Sequence, residues 1–293
     1  MSFKSGFAAV IGKPNAGKST LINALVGKKV SIVSPKPQTT RNKILGVLNH
    51  KDYQVVFCDT PGIHSGANQL DKFMQKSVDS AVKDVDVILL LLDGTKLISE
   101  PDIALINKYS ASAAPLYVVV TKLDIAAPEK LFAELNKLND IKGIEEIFCV
   151  SAEKGKNLDK LLAAILGKFT DTTRYFDENQ HTDKDLKFTV SELVREKLLW
   201  KLEKEIPHGA GVSVDVLEEK AKTINVEATI FCEKESHKPI IVGKGGSKIK
   251  EVGMASRLAI EKMTGKRVCL TLFVKVVPNW RSKTGTLKDL GYE

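Results

Sequence analysis

The chain has 293 residues, more than one ordinary domain needs, and 43% are hydrophobic, enough to fill real cores. Its four cysteines (Cys58, Cys149, Cys232, Cys269) are widely spaced inside apolar runs, with no CxxC or Cys/His ligand pattern. That argues against a disulfide scaffold and a zinc module and for reduced core thiols in a cytoplasmic protein. The formal net charge of +8 points to an anionic partner, and the five scattered histidines suggest no metal site.

Phe7–Ile11 reads as a buried strand and Thr20–Val26 as the start of a helix with Leu21, Ile22 and Leu25 on one face. Between them lies Gly12-Lys13-Pro14-Asn15-Ala16-Gly17-Lys18-Ser19, a complete GxxxxGK[ST] phosphate-binding loop, followed by Thr20. Glycines at 12 and 17 let the backbone curl close to phosphate oxygens, and loop amides at a helix N-terminus supply a fixed positive field. Lys18 would reach the β- and γ-phosphates, and the Ser19 hydroxyl would offer an oxygen to Mg²⁺. Val55–Cys58 is a second strand running into Asp59-Thr60-Pro61-Gly62, a DxxG sequence. An acidic side chain there can hold Mg²⁺ through water, and Gly62 can donate its N–H to a γ-phosphate.

Val85–Leu92, interrupted only by Asp86, reads as a central buried strand and is far too short to span a bilayer. Leu116–Val120 is another strand, ending at Thr121-Lys122-Leu123-Asp124, where Asp124 could accept from the N1–H and amine of guanine. Phe148–Val150 then delivers Ser151-Ala152, whose backbone N–H could meet guanine O6. DxxG and KxD are each weak alone. Four such segments in register at strand ends are strong, because doubly wound α/β sheets place ligands there.

Leu158–Phe169 is an amphipathic helix, and the polar, acidic stretch 171–185 reads as a linker. Beyond it the spacing predicts a helix over Val190–Glu205, strands over Val212–Val216 and Asn225–Cys232, a helix pair ending in Lys248–Met263, and a strand over Val268–Val276. Between the paired helices lies Gly243-Lys244-Gly245-Gly246, with Lys248 just beyond. A basic GxxG loop in that helix-strand-strand-helix-helix-strand order is the nucleic-acid clamp of a type II KH domain, with Gly243 and Gly246 letting the sugar-phosphate backbone lie on main chain. Charge separates accordingly. Residues 234–288 carry 13 basic and 3 acidic side chains, net +10, whereas 171–233 are net −5.

On these motifs the first 170 or so residues resemble the translation-factor-related class of Ras-like GTPases, and nearly the whole chain resembles the Era family, bacterial GTPases involved in ribosome assembly. Leu193–Leu199, Glu205-Ile206-Pro207-His208, Trp280-Arg281 and Leu290-Gly291-Tyr292 match that family's second half. The resemblance adds Gln38-Thr39-Thr40-Arg41 as a switch segment in which Thr40 joins Ser19 on Mg²⁺, and Asn15 as a side chain that helps hold K⁺. Thr121 stands where the family usually has Asn, and Ile63 stands where Ras-type proteins carry a water-positioning Gln, so hydrolysis is expected to be slow.

The expected fold class is α/β: a P-loop GTPase domain over 1–170, with a mostly parallel sheet and helices on both faces, a linker over 171–185, and an α+β type II KH domain with a C-terminal tail over 186–293. By resemblance, the expected function is a GTP-hydrolysing switch that binds 16S ribosomal RNA and assists assembly of the small ribosomal subunit. The expected ligands are GTP or GDP, Mg²⁺ and K⁺, with Lys18, Thr40, Asp59 and Gly62 nearest the chemistry. The chain is expected to be a cytoplasmic monomer without a signal peptide, and its basic stripe would permit peripheral membrane contact. A passive RNA chaperone stabilised by nucleotide is the alternative. An ATP-using kinase would leave Asp124 and Ser151-Ala152 without a role.

Overall fold

The computed structural model describes residues 3–63, 66 and 68–292. They form two compact units, one of Met1–Val33, Thr40–Ser65 and Met74–Asp183, the other of Ser34–Thr39, Gly66–Phe73 and Lys184–Glu293.

The first unit is built from β1 (Lys4–Gly12), α1 (Lys18–Val26), β2 (Ile44–Asn49), β3 (Tyr53–Asp59), most of α2 (Gln69–Ala81), β4 (Val87–Asp93), α3 (Glu100–Ser110), β5 (Leu116–Thr121), α4 (Pro128–Asn136), β6 (Ile144–Cys149) and α5 (Leu158–Lys168). Its sheet runs β2-β3-β1-β4-β5-β6 and is parallel apart from β2. The central strands bury both faces, which is why they read as continuous runs of Val, Leu and Ile. Val10, Phe57, Leu89 and Val119 pack with α1 and α5 on one face. Ile11, Ile88, Leu90 and Val118 pack with α2, α3 and α4 on the other. Asp86 lies just before β4, where its Oδ2 accepts from Phe7 N at 2.8 Å.

Residues 171–183, read from composition as a linker, are a strap bonded to the first unit's own strands. Ser5 N donates to Asp171 O and Val47 N to His181 O, both at 2.9 Å. The Gln54 side chain accepts from Tyr175 N and Phe176 N and donates to Phe176 O. The strap is polar because its contacts are hydrogen bonds along the sheet, with little apolar surface to bury.

The second unit contains α6 (Leu186–Lys201), β7 (Gly211–Glu219), β8 (Thr223–Cys232), α7 (His237–Val242), α8 (Ser247–Thr264), β9 (Arg267–Val276) and α9 (Thr284–Asp289). The sheet order is β7-β8-β9, antiparallel then parallel. β8 and β9 alternate cleanly, because one face packs Val226, Ala228 and Ile230 against α6 and α8 and the other does not. β7 buries Val212 and Val214 but shifts register between Val214 and Val216, leaving Val216 exposed. α6 starts four residues earlier than periodicity predicts, since Asp185 caps it by accepting from Phe188 N at 2.7 Å. It ends at Lys201, before the turns over 204–209. Among the described residues no helix is long and apolar enough to cross a membrane.

Candidate nucleotide and nucleic-acid sites

The phosphate-binding loop joins β1 to α1 at the carboxyl end of the sheet. Gly12 has φ 146°, and a Cβ there would stand 2.6 Å from the Leu91 carbonyl oxygen. No other residue fits so close to a neighbouring strand. Gly17 and Asn15 also take positive φ, curling the loop ahead of α1. Lys18 is 6% exposed, and its ammonium donates to the carbonyls of Gly12 and Lys13 at 3.1 and 3.0 Å, bridging the loop it belongs to. Burial pushes its pKa down from 10.5 to about 8, partly opposed by Asp59. Lys13 points elsewhere. Its Nζ bonds Ser99 Oγ at 2.7 Å and pairs with Asp102 at 2.8 Å, which ties the loop to the start of α3.

Three oxygen-bearing side chains converge beside Lys18. Ser19 Oγ lies 2.9 Å from Thr40 Oγ1 and donates to Asp59 Oδ2 at 2.8 Å, while Thr40 Oγ1 is 3.5 Å from the same carboxylate oxygen. Asp59 is fully buried and its pKa is raised by that burial against the pull of hydroxyl and Lys18 neighbours. Among the described residues, no side chain or main-chain group stands in good hydrogen-bond geometry to its other oxygen, Oδ1. A buried carboxylate with an orphaned oxygen beside two hydroxyls is a hard, all-oxygen donor set, the chemistry that Mg²⁺ requires. Gly62 closes against the loop, where a Cβ would stand 2.8 Å from Pro14 Cα. Ile63 N donates to Gly12 O at 3.0 Å and its side chain packs against the core, so it can orient no water. Thr60 Oγ1 donates back to Val10 O at 2.8 Å, which holds the DxxG turn to β1.

The base-reading residues occupy the ends of β5 and β6. Thr121 is buried, and its hydroxyl faces two carbonyls, Ala16 O at 2.8 Å and Leu92 O at 3.1 Å. Lys122, at φ 60°, pairs with Asp93 at 2.7 Å. The exposed Asp124 carboxylate accepts from Ser151 Oγ at 2.6 Å, which orients it and lowers its pKa. Leu123 N bonds Val150 O, so the Asp124 and Ser151-Ala152 segments are fixed to each other. An open cavity beside α1, lined by Thr20, Lys28, Lys29 and Ala152, reaches the edge of this set. Lys28, Lys29 and Asn23 carry no motif signal. Asn23 binds the main chain of Val30 and Ser31 through three hydrogen bonds, pinning the segment that leads toward Thr40.

In the second unit Gly243 (φ 77°), Gly245 (φ 58°) and Gly246 (φ 76°) all take positive φ. Their surroundings differ. A Cβ on Gly243 would meet Lys248 N and Cβ at 2.7 Å, whereas Gly245 and Gly246 face open space. Gly243 therefore closes the turn between α7 and α8, and the other two offer bare backbone to a ligand. Lys244 is exposed, and Lys248 pairs loosely with Glu251 at 3.7 Å. Beside the loop, α8 and β9 bound a groove lined by Ile249, Lys250, Met254, Arg257, Leu270 and Leu272. Its floor is apolar and its rim basic, suited to unstacked bases with phosphates alongside. Met254 is half exposed, a feature that helical periodicity alone does not separate from core.

Residues 7–122 match the family described as 50S ribosome-binding GTPase, and residues 205–281 match the KH domain family. A GTPase Era of Alkaliphilus metalliredigens is 41% identical over the full length of both chains. That of Caldicellulosiruptor saccharolyticus is 43% identical over 100% of this chain and 98% of its own. The chain belongs to the Era family of GTPases. Era-family structures agree in fold: an Era bound to MgGDPNP and nucleotides 1506–1542 of 16S ribosomal RNA, 34% identical, has a TM-score of 0.94 with 99% of each chain covered. A point variant of Aquifex aeolicus Era bound to GDP·AlF₄⁻ gives the same values. As an Era-family GTPase, this chain combines the P-loop and KH folds that its motifs predict; Thr121 departs from the Asn usual at its position, whereas Ile63 differs only from the Gln of Ras-type proteins.

Proposed function

We propose that the chain is a GTP-operated switch that binds 16S ribosomal RNA through its KH unit and assists assembly of the small ribosomal subunit. The observation that carries this is the coexistence of a buried Lys18–Ser19–Thr40–Asp59 cluster with an open Gly245-Gly246 backbone beside an apolar, basic-rimmed groove. A passive RNA chaperone would not need Thr40 drawn onto Ser19 and Asp59.

In this reading Lys18 releases its two loop carbonyls and turns its ammonium to the β- and γ-phosphates. Gly62 N–H meets the γ-phosphate, and loop amides stabilise charge as the phosphoryl group moves in line to water. Ser19, Thr40 and Asp59 would hold Mg²⁺, and the ion would supply neutralisation of the phosphate oxygens. No side chain acts as base, and Asn15, at φ 63° in the phosphate loop, would help hold K⁺, which would supply charge stabilisation beside the phosphates that Ile63 cannot. The Era structure with RNA and MgGDPNP supports the ligand classes.

The test is RNA affinity against salt for Gly245→Asp and Gly246→Asp, using an RNA of nucleotides 1506–1542 of 16S ribosomal RNA, as in the related Era structure. Each places a carboxylate into open space where RNA backbone would lie, without a clash inside the fold. Binding should weaken strongly while GTP affinity holds. Neutralising Lys244 should cost less and reduce the salt slope by about one unit or less. Wild-type RNA binding by both Gly→Asp variants would remove the KH loop from the function.

A further inference from the structure

Ser31 carries no motif signal and has no part in the reaction as proposed, yet it is only 2% exposed. Among the described residues, no group stands in good hydrogen-bond geometry to its hydroxyl. A buried hydroxyl in that condition is uncommon, because lost hydration is normally replaced by a partner. The main chain around it is fixed. The Asn23 carboxamide accepts from Val30 N at 2.9 Å and Ser31 N at 3.0 Å, and donates to Ser31 O at 2.8 Å. Asn23 lies on α1 one turn beyond Ser19, so a single helix places both serines. Val30 packs on the core and Ile32 is buried, which leaves Ser31 little freedom to turn away. The side chain it reaches is Asp59. Burial raises the pKa of that carboxylate, and Ser31 is first among the groups that oppose the rise, ahead of Ser19, Lys18 and Thr40. Ser19, Asn23, Ser31, Thr40 and Asp59 all belong to the first compact unit.

The two oxygens of Asp59 are used differently. Ser19 and Thr40 both address Oδ2, at 2.8 and 3.5 Å, while Oδ1 and Ser31 Oγ are buried and neither has a group in good hydrogen-bond geometry. One of these atoms can donate a proton and the other can only accept. We propose that Ser31 is a positioning residue for the Mg²⁺ site, its hydroxyl donating to Asp59 Oδ1 and so holding Oδ2 toward Ser19 and Thr40. A carboxylate that serves an ion through one oxygen pivots about its Cβ–Cγ bond unless the other oxygen is held. A hydrogen bond to that other oxygen therefore selects the orientation the ion requires. Asn23 acts one step further out, fixing the main chain from which Ser31 reaches. The inference rests on Asp59 serving Mg²⁺, and the experiment separates the two.

The probe is Mg²⁺ itself. The Mg²⁺ concentration that half-maximally tightens binding of a fluorescent, non-hydrolysable GTP analogue is measured for wild type, Ser31→Ala, Asp59→Asn and the double variant. Analogue affinity in EDTA and thermal melts of the unliganded proteins are measured alongside. Ser31→Ala should raise the Mg²⁺ requirement by roughly tenfold, the low end for groups that orient a metal ligand, and leave the affinity in EDTA unchanged. A serine that only filled space would move the melt and the EDTA affinity but not the Mg²⁺ requirement. In the Asp59→Asn background Ser31→Ala should add nothing. Ser31→Cys, whose thiol is a weak donor, should fall between serine and alanine, and it carries the comparison if the alanine variant does not fold. An Mg²⁺ requirement that Asp59→Asn raises and the Ser31 variant leaves unchanged overturns the role of Ser31, as do additive effects in the double variant. An unchanged requirement in Asp59→Asn itself overturns the reading of Asp59, and the inference with it.

Discussion

Thr121 offers a measurement of how one buried hydroxyl sets nucleotide affinity. Its single proton faces two carbonyls, Ala16 O at 2.8 Å and Leu92 O at 3.1 Å, and can satisfy only one at a time. Ala16 belongs to the phosphate loop and is buried, so the strand end holds the loop from behind. Thr121→Val keeps the shape and deletes the donor. A buried carbonyl left without a partner costs about 1–3 kcal/mol, and if the loop relaxes to regain water, that cost returns as weaker binding. At about 1.4 kcal/mol per factor of ten, GTP and GDP should both bind ~5- to 100-fold more weakly. Thr121→Asn supplies two amide protons for the two carbonyls. One added hydrogen bond at about 0.5–1.5 kcal/mol predicts ~2- to 10-fold tighter binding of both nucleotides. Fluorescent-nucleotide titration with thermal melts of the unliganded proteins measures both terms. Changes confined to GTP would show that Thr121 acts on the γ-phosphate side, and equal affinities for all three proteins at equal Tm would refute the argument.

Asp124→Asn should shift selectivity from GTP towards XTP by roughly tenfold or more, because an amide replaces the acceptor that Ser151 orients. Competition with labelled GTP reads this, and unchanged selectivity would take β5's end out of base reading. Lys18 makes binding pH-dependent: its pKa is about 8 in the unliganded site against 10.5 in an unfolded chain, and phosphates favour the ammonium. GTP affinity should therefore be flat below pH 8 and fall above it, with uptake of about one proton per GTP near pH 9. Calorimetry in buffers of different ionisation enthalpy tests that sign, and an affinity independent of pH from 8 to 9.5 contradicts it. If Asn15 helps place K⁺, hydrolysis should run several-fold faster in K⁺ than in Na⁺ at equal ionic strength, and Asn15→Ala should erase the difference. Equal wild-type rates in the two salts would leave Ile63 uncompensated by the ion.

What could be read from the sequence was the chemistry carried by contiguous segments. The ends of β1, β3, β5 and β6 announce themselves because polar residues break apolar runs where a parallel sheet exposes its carboxyl edge. Strands with less apolar reach were harder. β6 opens on the exposed Glu145-Glu146 of an edge strand, so only its last residues look buried. The strap over 171–183 looks like a linker in the sequence because hydrogen bonds from Gln54 and Val47, rather than burial, hold it, and such bonds leave no periodic trace. The same limit applies at the sites. GxxG marks the loop, but only geometry separates Gly243, packed on Lys248, from Gly245 and Gly246, which face outward. Lys13 bonding Ser99 and Gln54 holding Phe176 each depend on a partner far away in the chain. A motif identifies groups that touch the ligand because ligand chemistry restricts residue type. The groups that aim them are chosen by tertiary neighbours, and many residue types can do that work.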